Sequence, residues 1–272
     1  MTEGFAFDIL FGILLFVSGS CIFSFLNVII YRMPRKMQFW KGCSTCLACG
    51  KNLRARDLIP IGSYLALSGK CRCCGAKIRF RDTLVELLGG VLALICVWYW
   101  RGTPVTALLI FMFFCILTVV TFIDIGDKEI PDGCWIAIIV LTLISYGMFF
   151  LAPEGVLLEI SAQESFPAVS LFSRLIGMIS TSLPMLLLTL AIPGAFGGGD
   201  IKLMAACGLF LGWRLTLVSF ILALAAGGLW GISLVASKKK GRKEHFAFGP
   251  FLCVGMVLGI VFGDQLIQWF FN

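Results

Sequence analysis

Long apolar stretches separated by short polar ones dominate this chain. Runs of spanning or near-spanning length lie at about 5–30, 84–100, 103–123, 133–152, 171–193, 215–236 and 248–271. An α-helix needs roughly 20 apolar residues to cross the hydrocarbon layer. A shorter, glycine-rich run lies at about 201–212. Counting it, the pattern predicts an all-α polytopic membrane protein of about eight transmembrane helices. Only residues 33–83 are polar enough for a soluble insert, which divides the chain into a first transmembrane helix (1–32), a cytosolic subdomain (33–83) and a seven-helix membrane domain (84–272). Composition agrees: 59% of residues are hydrophobic and 14% charged, against about 25% charged in a soluble domain. No internal repeat is evident.

Charge placement orients the spans. The first run opens on Met1-Thr2-Glu3-Gly4, with no basic stretch ahead of it. It reads as a retained span, not a cleaved signal. Arg32, Arg35, Lys36 and Lys41 follow it directly. Basic residues stay on the cytosolic side, so the N-terminus is outside. With eight spans, segments 31–83, 124–132, 194–202 and 237–247 face the cytosol and hold 19 of the 22 Lys and Arg. With seven, the basic run 238–243 would face outward. Eight spans place both termini outside. The net charge of +7 thus reflects topology and an anionic inner leaflet of membrane lipid, and implies no nucleic-acid partner.

The insert carries six of the twelve cysteines. Cys46-x-x-Cys49 and Cys71-x-x-Cys74 each place two thiols in one turn, with Gly50 and Gly75 behind them in register. Two such knuckles make a four-thiolate tetrahedral site suited to Zn2+, and a reducing cytosol disfavours disulfides. A closed four-thiolate site is structural. Cys43 and Cys73 offer alternative spacings.

Aspartates carry the candidate chemistry. Asp124 ends the third apolar run, in TFIDIGDKEIPD at 121–132. Asp200 opens a helix in AFGGGDIKL at 195–203. Ionisable groups at membrane depth are costly and mark function. Two neighbouring carboxyls share a proton, so one can activate water while the other protonates a peptide carbonyl. Gly197, Gly198 and Gly199 leave room for a substrate backbone at Asp200. The single histidine, His245, lies in the basic loop, and no G-x-S-x-G, H-E-x-x-H or P-loop occurs. A coupling carboxylate in a transporter, or an assembly scaffold bearing a zinc ribbon, is the alternative reading.

These segments resemble the prepilin peptidases, the type IV leader peptidase family of intramembrane aspartic proteases. The resemblance rests on SFLNVIIYRMP (24–34), CLACGKNLRARDLIPIGSYLALSGKCRCCG (46–75), RDTLVELLGG (81–90), IDIGDKEIPD (123–132), FGGGDIKL (196–203) and FAFGPFL (246–252). Ala247, where many members have Pro, and Asp82, where an aromatic is common, depart from the family pattern. The resemblance implies Asp124 and Asp200 as the catalytic pair and Cys46, Cys49, Cys71 and Cys74 as zinc ligands. It implies a bacterial cytoplasmic-membrane enzyme that cuts the basic leader from type IV prepilin or pseudopilin substrates at the cytosolic face. Many members then methylate the new N-terminus with S-adenosylmethionine. Asp127, Glu129, Asp132 and Glu244 are acids that a basic leader would meet.

Overall fold

The structure, a computed structural model, describes residues 2–38, 40, 42–151, 170–192, 194–236 and 247–271. The acidic loop 152–169, the basic run 237–243, Glu244 and His245 lie outside the described residues. Every named element is helical: α1 (Thr2–Arg32), a 3-10 turn (Ala55–Asp57), α2 (Gly62–Ala66), α3 (Phe80–Tyr99), α4 (Pro104–Asp127), α5 (Asp132–Leu151), α6 (Leu171–Ala191), α7 (Gly198–Leu211), α8 (Trp213–Ala236) and α9 (Gly249–Phe271). Each apolar run has become one helix. Among the described residues, four helices are long and apolar enough to cross a membrane: Asp8–Arg32, Pro104–Asp127, Leu171–Ala191 and Trp213–Ser233. Large apolar side chains such as Leu10, Leu14, Leu143, Leu187 and Leu229 are exposed along the helices. That surface suits lipid and would be costly in water.

The chain divides into two compact units, Met1–Phe111 and Met112–Asn272. In the first, α1 packs on α3. The buried face of α3 is Val85, Gly89, Leu92, Ala93 and Cys96, a stripe at helical spacing. Glycine sets the closeness of this pair. A Cβ on Gly19 would lie against the carbonyl of Gly89 and the methyl of Ala93, and one on Gly89 would overlap the Phe23 ring. Small residues at a helix crossing let backbones approach where no hydrophobic effect drives association.

Between α1 and α3 the insert folds as two knuckles related by an offset of 25 residues. Cys46 N–H donates to Lys51 O (2.9 Å) and Gly50 N–H to Cys46 O (2.8 Å); Cys71 N–H donates to Ala76 O (2.8 Å) and Gly75 N–H to Cys71 O (2.9 Å). The isolated bridges Thr45–Asn52 and Lys70–Lys77 keep the same offset. Gly50 and Gly75 both sit at positive φ, 68° and 70°, which closes each turn without a Cβ penalty. The linear sequence shows no repeat because only the cysteines, glycines and backbone bonds recur. A second anchor holds the insert down: Glu86 of α3 accepts the hydroxyl of Ser24 (2.7 Å) and the amide of Ile61 (2.8 Å).

In the second unit, α7 is packed by α5, α6, α8 and α9. At 14 residues it is about 21 Å long, short of the hydrocarbon thickness of about 30 Å. Its buried residues, among them Leu203, Met204, Cys207, Phe210 and Leu211, cover one broad face, while Ile201, Ala205 and Leu209 opposite are half-buried. Gly208 of α7 meets Gly177 of α6 backbone to backbone, with no space for a Cβ on either. Arg174, 2% exposed, donates from Nη1 to the carbonyls of Leu209 (3.2 Å) and Phe210 (3.1 Å). It thereby caps the C-terminal end of α7, where carbonyls lack helical partners. Gly212, at φ 79°, is the single residue between α7 and α8.

Candidate active site

Asp124 lies in the last turn of α4 and Asp200 in the first turn of α7. Each is there for a local reason. Residues 104–123 are apolar enough to carry α4 through, and the polar sequence from 124 onward ends it. The Gly197-Gly198-Gly199 segment starts α7, with Asp200 at its third position, where an acid complements unpaired helix amides. Both carboxyls are buried, with 5% and 8% exposure, and they interact electrostatically across 76 positions of sequence. Cys253 of α9 is buried within electrostatic reach of both.

Each aspartate is held by one glycine amide. Gly249, at the start of α9, donates its N–H to Oδ2 of Asp124 at 2.9 Å. Gly197 donates to Oδ2 of Asp200 at 3.2 Å. The neighbouring acids are placed differently. Asp127 and Glu129 are exposed. Asp132 is exposed at the start of α5, where it takes Trp135 Nε1–H (2.7 Å) and pairs with Lys202 (2.9 Å). Lys202 is thereby drawn to α5, two residues past Asp200.

The three glycines before Asp200 differ from one another. A Cβ on Gly197 would sit 3.1 Å from Oδ2 of Asp200, and one on Gly199 would sit 3.0 Å from Cβ of Ile130; beside Gly198 there is open space. Sequence reasoning singled out both aspartates and overlooked two supports, Gly249 and Arg174. Gly249-Pro250 announces a helix start, but its contact with a residue 125 positions earlier has no local signal.

In the first unit, the Sγ atoms of Cys46, Cys49, Cys71 and Cys74 all lie within 4.8 Å of one another, with Cys46 and Cys74 at 3.9 Å. A tetrahedral Zn–S length of about 2.3 Å sets sulfurs about 3.8 Å apart, so this donor set fits zinc. Cys43 and Cys73 are exposed and outside the cluster. The amides of Cys49 and Ala48 lower the pKa of Cys46, and that of Lys51 lowers Cys49. Cys74 receives the Ala76 amide, which lowers it, yet desolvation and the three neighbouring sulfurs drive it up to about 11. Four thiolates at this spacing call for a cation between them. Beside the cluster, a cavity of about 990 Å³ is lined by residues including Tyr31, Asp57, Tyr64, Arg72 and Glu86.

Two family models match this chain. Residues 17–100 match the bacterial peptidase A24 N-terminal domain, and residues 111–232 match the type IV leader peptidase family. The prepilin leader peptidase/N-methyltransferase of Dickeya chrysanthemi is 30% identical to this chain, over 91% of each. The protein of the same description in Legionella pneumophila is 28% identical over 91% of this chain and 90% of its own. That in Bacillus subtilis (strain 168) is 26% identical over 94% and 96%. No solved structure matches.

Proposed function

From the premise that this chain belongs to the type IV leader peptidase family, we propose that it is a membrane-embedded aspartic endopeptidase acting through Asp124 and Asp200. Its substrates are type IV prepilin-like proteins, whose basic leader it removes at the cytosolic face of the bacterial cytoplasmic membrane. The observation that carries this reading is the pair itself: two buried carboxyls, one ending α4 and one opening α7, each held by a glycine amide. Buried side chains of this kind are expensive unless they act.

Water between the carboxyls gives its proton to the ionised one as its oxygen attacks the peptide carbonyl. The protonated partner gives its proton to that carbonyl oxygen. The tetrahedral diol then collapses: one of its hydroxyl protons goes to the carboxylate left ionised, the C–N bond breaks, and the other carboxyl gives its proton to the leaving amine. The open space beside Gly198 is where a substrate backbone passes close to Asp200. Exposed Asp127 and Glu129 attract the basic leader. Placement of 19 of the 22 Lys and Arg in four alternate loops supports eight spans, a cytosolic site and two outside termini.

Cys46, Cys49, Cys71 and Cys74 hold a structural zinc ion. A second reaction, methylation of the new N-terminal amine with S-adenosylmethionine as donor, is favoured by the N-methyltransferase description its relatives carry.

The test is Asp124→Asn and Asp200→Asn in the full chain, reconstituted with a prepilin. Asparagine still accepts the glycine amide, so insertion and helix content stay normal while cleavage falls by at least about 10³-fold. Near wild-type processing by either variant would remove the dyad assignment and favour a transporter or assembly scaffold. The mass of the product N-terminus, with and without S-adenosylmethionine, reads the second reaction.

A further inference from the structure

We propose that Gly249 is a positioning residue for the carboxyl pair, a role that rests on the reading of Asp124 and Asp200 as the acting groups. Three observations lead to it. The Gly249 amide bonds Oδ2 of Asp124 at 2.9 Å. A Cβ on Gly249 would stand 2.7 Å from that oxygen and 3.1 Å from its carbon. And Gly249 is itself buried, so no water can replace the bond.

The start of α9 has few donors to offer. Its first-turn amides would otherwise lack acceptors. Pro250 has none, and the amides of Phe251 and Leu252 turn back to Phe248 O at 3.0 and 3.2 Å. The Gly249 amide is left, and a carboxylate from the end of α4 takes it. Asp124 thus serves as a cap for a helix that begins 125 residues later.

An aspartate has two free side-chain torsions, and proton transfer needs one oxygen of each acid turned toward the shared water. The Gly249 bond holds Oδ2 and so sets the rotation that leaves Oδ1 for chemistry. Gly197 does the same for Asp200, at 3.2 Å and with 3.1 Å of clearance for a Cβ. At 249 only glycine combines the amide with room for the carboxyl it holds, and at 197 a Cβ would press that carboxyl more gently. Any side chain at 249 would push Asp124 away from the orientation its amide imposes.

Gly249→Ala and Gly255→Ala are compared in the reconstituted full chain. Gly255 is a matched control on α9: its Cβ would strike the carbonyl of Ser219 and the methyl of Ala223 on α8, and neither carboxyl is among its neighbours. Gly249→Ala is expected to lower kcat about 100-fold with KM within about threefold, because misplacing a reacting group by about an ångström costs that much. Gly255→Ala is expected to lower the melting temperature while kcat per folded molecule stays within about threefold. An ester link in place of the 249 amide removes the N–H and adds no side chain, and is expected to lower kcat about tenfold. If Gly249→Ala does not fold, the ester carries the test. Gly249→Ala or the ester with unchanged kcat, or a loss confined to KM, overturns the proposal. Asp124→Asn and Asp200→Asn in the same assay separate the two failures: active Asn variants sink the dyad reading and this proposal together, whereas inactive ones beside an unimpaired Gly249→Ala sink this proposal alone.

Discussion

A buried cation, Arg174, closes the end of α7. It bonds two carbonyls and is 2% exposed. Hydrogen bonds to a charged group contribute about 1.5–3 kcal/mol each. Arg174→Leu removes them and leaves both carbonyls without that donor. Thermal unfolding in detergent should show a loss on the order of 2–4 kcal/mol. Asp57 is a second case. The Arg72 guanidinium, 2.8 Å away, bonds its carboxylate and holds its pKa below the usual range. A depressed carboxylate pKa stabilises the fold above the unfolded value of about 3.9, and the contribution is lost as pH falls through the lower folded value. Asp57→Asn removes that dependence. Hydrogen exchange at residues 72–77, compared between wild type and variant, should converge once the pH has fallen through the depressed Asp57 value.

Helix crossings are governed by where glycine permits contact. A methyl group on Gly208 would press into the backbone of α6 at Gly177. Overpacking of this kind costs about 1–3 kcal/mol, which is why glycine stands on both sides of that crossing. Gly198→Ala is the contrasting case. Its Cβ meets nothing, so stability should hold, and any effect should appear in KM for the prepilin, as a blocked approach to Asp200 would produce. Loss of stability without a change in KM would argue against a substrate path there. The same comparison explains why three adjacent glycines are not equivalent. Gly197 accommodates the Asp200 carboxyl, Gly199 accommodates Ile130, and Gly198 accommodates nothing among the described residues.

On the scale of the whole chain, the knuckles are held in two ways: by the four sulfurs and by Glu86, which bridges α1, α3 and the turn at Ile61. Cys71→Ala should lose bound zinc, measured by elemental analysis, and open residues 42–79 to protease while α1 and α3 persist. A cytosol-active reporter placed at 240 and an exterior-active reporter at 272 should both give signal if there are eight crossings. A seven-crossing chain would reverse them.

Helix positions, the orientation argument and the four-cysteine spacing could all be read from the sequence, because each depends on residues near one another in the chain. Apolar runs report on their solvent, and C-x-x-C closes within one turn. Asp124 and Asp200 were legible singly for the same reason: each interrupts an apolar run at its end. Tertiary structure alone decided what lies between them. It brought α4 and α7 together so that the carboxyls interact, supplied the Gly249 amide from 125 residues away, and packed a 14-residue helix among four others. Such choices depend on backbone approach at Gly177, Gly208 and Gly249, and a glycine in sequence does not say what it makes room for.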